Sequence, residues 1–187
     1  MKRYKLFVLG FLLISFALRL YKLGAFELWV DEAASYYIAS LSSPKKILTY
    51  SATALYEHPP LFYIFLHFWI KWMGKGEWLL RFPSVFWGVL SIALAWPLFK
   101  RLVDEKVALL TVILMTFYSP LVALSQEVRM YALVIALSLV INLVLLAFSE
   151  RNPLAGMAFY IIVAILGFLV HYFFLWIFIA PYCGLFT

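Results

Sequence analysis

The segment Leu61-Phe62-Tyr63-Ile64-Phe65-Leu66-His67-Phe68-Trp69-Ile70-Lys71-Trp72-Met73 decides how this chain is arranged. It is apolar, but it is short and carries His67 and Lys71. An apolar run of about 10–14 residues suits a re-entrant or interfacial helix better than a spanning one. Trp69 and Trp72 favour the interface too, because their rings settle at headgroup level. If the segment does not span, Lys2, Arg3, Lys5, Lys100, Arg101, Lys106 and Arg151 all fall on one face, which the positive-inside rule makes cytoplasmic. Asp31, Glu32, Glu57, His58, Arg81, Glu127, Arg129 and His171 then share the opposite face. A spanning segment would move the Lys100–Lys106 loop outside and split the acidic groups between faces.

Composition supports a membrane reading. Of the 187 residues, 66% are hydrophobic, 20% aromatic and only 13% charged, and the mean hydropathy is +0.99. Several apolar runs approach or exceed the length that crosses a bilayer, and only helices satisfy their own backbone there. The expected fold is an all-α integral membrane protein with five complete spans and a sixth incomplete one. The spans are Leu6–Leu23, Phe82–Leu98, Val107–Leu124, Met130–Phe148, Leu154–Val170 and the unfinished Phe173–Leu185. The net charge of +6 sits at the ends of apolar runs, so it reads as topology rather than nucleic-acid binding. A lone cysteine, Cys183, excludes an intrachain disulfide. The basic start, Met1-Lys2-Arg3-Tyr4-Lys5, lacks a following small-residue cleavage site and reads as an uncleaved first span. The apolar run at the other end stops without a basic or polar terminus. The expectation is therefore a single transmembrane domain, 1–187, that forms the N-terminal part of a longer module.

The external loop, about 24–81, divides into short surface helices. Trp29 to Ser40 alternates at helical spacing and is closed by Ser42-Ser43-Pro44, with Pro44 suited to a helix start. Lys45 to Tyr56 forms a second amphipathic stretch, and Pro59-Pro60 forces a third start.

This loop also holds most of the candidate chemistry, because ionisable groups close to a membrane are costly and point to function. Asp31 and Glu32 can take a proton from a hydroxyl or bind a divalent cation, or they can simply favour a helix N-terminus. Glu57-His58-Pro59-Pro60 holds a carboxylate beside an imidazole, as half of a metal site, an anion clamp or a plain loop. Arg81 at a helix entry either snorkels to headgroups or binds a phosphate bidentately. In Ser125-Gln126-Glu127-Val128-Arg129-Met130-Tyr131, Arg129 can hold a phosphate, and Glu127 can orient it or join a cation site. The bland alternative is a polar turn capped by interfacial Tyr131. His171-Tyr172 ends the fifth span, where a lone histidine is usually interfacial. The chain contains no P-loop, GxSxG or HExxH motif.

Five stretches together resemble the membrane glycosyltransferases of the GT-C class, which include protein O-mannosyltransferases, the lipid A aminoarabinose transferase and the bacterial Rgt-like enzymes. They are Leu28-Trp29-Val30-Asp31-Glu32-Ala33, Glu57-His58-Pro59-Pro60-Leu61, Glu77-Trp78-Leu79-Leu80-Arg81-Phe82-Pro83-Ser84, Ser125-Gln126-Glu127-Val128-Arg129-Met130-Tyr131-Ala132 and His171-Tyr172-Phe173. The resemblance implies transfer of a sugar, with inversion, from a polyprenyl-phosphate donor to a hydroxyl of a protein, lipid or glycan. The reaction would lie on the periplasmic or extracellular face of the cell membrane. Asp31 matches the family's first-loop aspartate, the base on the acceptor hydroxyl, with Glu32 beside it as a catalytic candidate. His58, Arg81, Glu127, Arg129 and His171 become substrate-binding candidates. Glu57 falls where relatives can carry a metal-binding acid, so a divalent metal ion is the candidate cofactor. Relatives are several hundred residues long, so these 187 would cover the N-terminal catalytic half. The competing readings are a polyprenyl-lipid-binding subunit without catalysis and a transporter of lipid-linked sugars. Charges gathered at one surface, with no broken helix pair at mid-membrane, count against transport.

Overall fold

The computed structural model describes residues 2–53, 58–148 and 153–183. Among the described residues every element is helical. In chain order they are α1 (Lys2–Leu20), α2 (Val30–Ala39), α3 (Pro44–Thr53), α4 (Leu61–Met73), α5 (Glu77–Leu102), α6 (Glu105–Phe117), α7 (Ser119–Leu124), α8 (Tyr131–Phe148), α9 (Pro153–Val170) and α10 (Phe174–Cys183). The protein is an all-α membrane protein, as its composition requires. By length and composition α5 and α9 suffice to cross a bilayer, since 26 and 18 residues extend about 39 and 27 Å.

Helix α5 is the centre of the packing and touches α1, α6 and α8, while α9 lies on the far side of α8. It carries two internal prolines, Pro83 and Pro97. Pro83 has no N–H to give the carbonyl of Leu79 one turn earlier. The indole of Trp69 on α4 supplies that bond instead, donating to the Leu79 oxygen at 2.8 Å. The third expected span is not continuous. Its helix stops at Phe117 and restarts at Ser119, because Ser119-Pro120 cannot continue α-helical hydrogen bonding. The break leaves the Met115 carbonyl without a helical donor, and Arg19 Nη2 fills it at 3.2 Å.

Arg19 is 1% exposed and organises this part of the bundle. Its guanidinium also donates to Ser15 Oγ at 2.6 Å and to Ser125 Oγ at 3.1 Å. Ser125 stands over Gly88 of α5, where even a methyl group would overlap the serine hydroxyl. Small residues that let polar side chains meet between helices are the usual means of association in lipid, where apolar burial drives little.

Helix α4 behaves as its composition suggests. Thirteen residues extend only about 20 Å, and one face is buried through Phe62, Tyr63, Leu66, His67 and Ile70. Phe68 and Trp72 stay exposed. The helix packs on α2, α3, α5 and α9, and His67 Nδ1 donates to the Ala39 carbonyl at the end of α2, at 2.8 Å. The surface helices thus form a cap joined to the bundle.

Two glycines separate packing from propensity. Gly88→Ala should destabilise the protein by about 1–3 kcal/mol through overpacking. Gly10→Ala in α1 meets nothing within 4 Å and should be neutral or stabilise by up to about 1 kcal/mol. Thermal unfolding of the two variants in one detergent checks the opposite signs.

Candidate functional site

The site begins where α1 ends. Lys22 adopts a left-handed conformation, φ 55°, which terminates the helix and turns the chain back across the bundle. Gln126 caps the carbonyls left open there, its Nε2 donating to Arg19 O at 3.1 Å and Tyr21 O at 2.9 Å. The returning segment delivers Asp31 and Glu32 on the first turn of α2.

These adjacent carboxylates have opposite environments. Glu32 is 1% exposed, and its oxygens accept four hydrogen bonds. Oε1 receives Arg81 Nε and the Val128 backbone N–H, both at 2.8 Å. Oε2 receives Arg81 Nη2 at 2.7 Å and the Trp29 N–H at 3.3 Å. The last bond is the carboxylate half of a capping box. About four lone-pair positions are all a carboxylate has, so Glu32 is full.

Arg81 is full as well. Besides its two bonds to Glu32, Nη1 donates to the carbonyls of Leu23 and Phe26 at 2.8 and 2.9 Å, and Nη2 donates to Glu27 O at 3.1 Å. All five guanidinium N–H groups therefore end on protein oxygens. Within this fold both groups are spent on protein partners. Arg81 has no donor left for a phosphate, and Glu32 has no lone pair left for a proton or cation. The pair builds the loop that presents Asp31.

Asp31 retains a carboxylate 45% exposed, with Oδ2 3.7 Å from Nη2 of Arg129. Arg129 is buried but incompletely used. Nη1 donates to Asp31 O at 3.3 Å, and Nη2 meets His58 Nε2 at 3.3 Å and Tyr131 Oη at 3.2 Å. Its Nε is buried with no partner among the described residues. Of the two candidate phosphate-binding arginines, Arg129 is the one with hydrogen-bonding capacity to spare.

His58 and His171 complete this side. Their rings lie 4.6 Å apart, and Tyr131 sits 5.8 Å from His171. Nε2 of His58 faces a guanidinium N–H, so its proton belongs on Nδ1. Nδ1 of His171 accepts the Phe173 N–H at 3.1 Å, which puts that proton on Nε2. Burial holds both imidazoles below their ordinary range. Arg129 adds to this for His58 against an opposing pull from Asp31, and His58 then Arg129 add to it for His171. Both rings are neutral at pH 7.

Glu127 lies apart from them, half-buried and without a hydrogen bond or ion pair among the described residues. Burial pushes its carboxyl up, and the charges of Glu32 and Asp31 push the same way against Arg129 and Arg81. The structure thus gathers Asp31, His58, Arg129 and His171, sets Arg81 and Glu32 behind them as scaffold, and leaves Glu127 on another wall. Glu57, the expected metal ligand, lies outside the described residues. Among those described, no three His, Cys, Asp or Glu side chains converge on one point. Tyr131 was readable only as an interfacial cap; its place against Arg129 and His171 depends on how α8 meets α9.

Two tests follow from the contrast. Glu32→Gln should cost about 3–5 kcal/mol of stability by leaving Arg81 buried beside a neutral group, whereas Asp31→Asn should cost well under 1 kcal/mol. Denaturation of the two variants side by side checks this. The second test concerns pH. A buried histidine whose folded pKa is depressed binds fewer protons than in the unfolded chain, so stability rises with pH through that window. The histidine contribution should be complete above about pH 6.5 and should fall as pH drops below it. His58→Gln and His171→Gln should each flatten that decline in a pH series of melting temperatures.

Comparison with known proteins adds one positive finding. The family model for dolichyl-phosphate-mannose-protein mannosyltransferase matches residues 57–186. That range contains His58, Arg81, Glu127, Arg129 and His171, while Asp31 and Glu32 precede it. No curated protein and no solved structure matches the chain. With the greater part of the sequence matched, the chain belongs to the dolichyl-phosphate-mannose-protein mannosyltransferase family, a family of glycosyltransferase type that acts with lipid-linked sugars.

Proposed function

We propose that this chain carries the catalytic end of a membrane glycosyltransferase that moves a sugar from a polyprenyl-phosphate donor to an acceptor hydroxyl, with inversion. The observation that supports it best is the Asp31–Arg129 pair. A half-exposed carboxylate stands 3.7 Å from a buried guanidinium that still has N–H groups to offer. Transfer from a sugar phosphate needs those two functions and little else, because phosphate leaves readily without a general acid.

In this scheme the acceptor hydroxyl gives its proton to Asp31 as its oxygen attacks the anomeric carbon. The bond from that carbon to the phosphate oxygen breaks on the opposite face, and polyprenyl phosphate departs with the electron pair. Arg129 holds the phosphate through its unfilled donors, and charge-assisted bonds to phosphate are among the stronger ones available. His58 and His171 stay neutral, so they can line the sugar site without drawing the phosphate away from Arg129. Glu32 and Arg81 keep Asp31 in place and touch no reacting atom. Asp31 also cannot be locked to Arg129, since 3.7 Å is beyond a hydrogen bond and leaves the carboxylate free to accept a proton.

The setting we propose is the outer face of the cell membrane, with the N-terminus cytoplasmic and the chain forming the N-terminal part of a longer module. The clustering of Lys100, Arg101 and Lys106 at the bundle end remote from Asp31 supports that orientation.

Turnover of radiolabelled polyprenyl-phosphate sugars by membranes containing this protein, or a longer reading frame that includes it, tests the assignment. Asp31→Asn should lower turnover by about 10³-fold or more while donor binding persists. Arg129→Lys should weaken donor binding, because a point charge replaces a planar fork. Full activity of Asp31→Asn would transfer the role of Asp31 to another group and favour a lipid-binding subunit.

A further inference from the structure

Tyr131 opens α8, directly after the fully buried Met130. Its half-buried ring packs against His171 at 5.8 Å and lies 5.4 Å from the guanidinium carbon of Arg129. The hydroxyl oxygen accepts an N–H from Arg129 Nη2 at 3.2 Å. That bond has a single possible direction, because a guanidinium has no lone pair to offer. The phenolic proton must therefore point elsewhere, and among the described residues no acceptor receives it.

The neighbours of this hydroxyl share its polarity. The ring protons of His58 and His171, on Nδ1 and Nε2, also lack an acceptor among the described residues. Arg129 adds its Nε and the second N–H of Nη1. Against these donors stands the carboxylate of Asp31, 3.7 Å from Nη2 of Arg129. A lining that mostly donates suits a ligand group that only accepts, and a phosphodiester is such a group. A phosphate drawn to the guanidinium arrives beside the Tyr131 hydroxyl, which already touches that guanidinium.

Resting on the glycosyltransferase reading, we propose that Tyr131 is a second phosphate contact, its hydroxyl donating to a phosphate oxygen of the donor while Arg129 holds the same group. Tyr131 then touches the leaving group itself and does more than orient the arginine. It also adds a donor without adding a charge, so the phosphate meets one cation and one neutral O–H.

The contact strengthens as the reaction proceeds. The donor phosphate is a diester with one negative charge, and it leaves as a monoester with two. The electron pair of the breaking bond passes from the anomeric carbon to the phosphate oxygen, and the acceptor's proton passes to Asp31. Tyr131 keeps its own proton throughout. A hydrogen bond to an oxygen whose charge is growing favours the transition state over the bound donor, so its loss lowers kcat more than it raises KM.

The test uses the full chain in lipid nanodiscs and three probes: farnesyl methyl phosphate, a diester with one charge; farnesyl phosphate at about pH 8, where it carries two; and uncharged farnesol. Tyr131→Phe keeps the ring and removes only the hydroxyl. Calorimetry should show that change weakening the diester about threefold and the doubly charged monoester about tenfold, with farnesol unaffected. Turnover of radiolabelled polyprenyl-phosphate sugars should fall about 10²-fold in kcat, with KM rising about threefold. Unchanged affinity for both phosphates overturns the contact. A second protein carries 3-fluorotyrosine at position 131, whose hydroxyl donates more strongly and accepts more weakly. At about pH 6 it should bind the diester at least as tightly as the wild type does. Weaker binding there means that the hydroxyl serves only as an acceptor for Arg129, which overturns the proposal even if Tyr131→Phe fails to fold. Phosphate affinity that depends on Tyr131, without turnover of any sugar, keeps the contact and refutes the glycosyltransferase reading. Turnover that survives Tyr131→Phe intact keeps that reading and refutes the contact.

Discussion

Everything around the candidate site depends on the bidentate pair between Glu32 and Arg81. Two buried charges at the edge of a bilayer are tolerable only when every lone pair and every N–H is satisfied. Here that requirement recruits backbone of five residues in three places: Leu23, Phe26 and Glu27 in the returning loop, Trp29 at the start of α2, and Val128 in the α7–α8 turn. The loop cannot relax without exposing a charge to a place that cannot solvate it. The segment from Leu23 to Trp29 is thereby tied by hydrogen bonds to the helices around it, and Asp31, one residue from Glu32, stands at its end.

The same saturation sorts residues of identical chemistry into different roles. Arg81 and Arg129 are both buried, both near carboxylates and both at helix ends, yet one has all its donors occupied and the other does not. Asp31 and Glu32 divide in the same way, one half-exposed with a partner at 3.7 Å and one enclosed by four donors. A group that must hold or exchange something during a reaction needs unused valence. A group that must keep a loop in place needs none.

Much of this was legible in the residues and some was not. The surface helices were, because Pro44 and Pro59-Pro60 punctuate amphipathic stretches and the short run Leu61–Met73 cannot cross a bilayer. The break at Tyr118 was hidden inside an apolar run, although Ser119-Pro120 supplied a signal for it. Gathering of Asp31, His58, Arg129 and His171 followed from topology alone, since charge asymmetry put them on one face. Their division into scaffold and open groups did not follow. It rests on hydrogen-bond counts between positions 49 residues apart, Glu32 and Arg81, and 96 apart, Glu32 and Val128, and no local pattern encodes those. The role of Arg19 is hidden for a related reason. A cation at the end of a span ordinarily reaches for the headgroups, whereas the carbonyl freed by the helix break draws this one inward.

The saturation of the scaffold pair has a consequence for the proposed chemistry. On one side Arg129 keeps unfilled donors beside a half-exposed carboxylate; on the other, Arg81 and Glu32 line a cleft of about 600 Å³ with no N–H or lone pair of their own left unfilled. Had Arg81 kept a spare N–H, the donor phosphate of the proposed transfer would find an arginine on either side of the pair. With Arg81 saturated, the pair offers an anion no N–H, and the unfilled donors of a buried arginine lie on the Asp31 side. Under that proposal the place of the donor phosphate follows from which arginine has donors left, and fixing it needs no moving part.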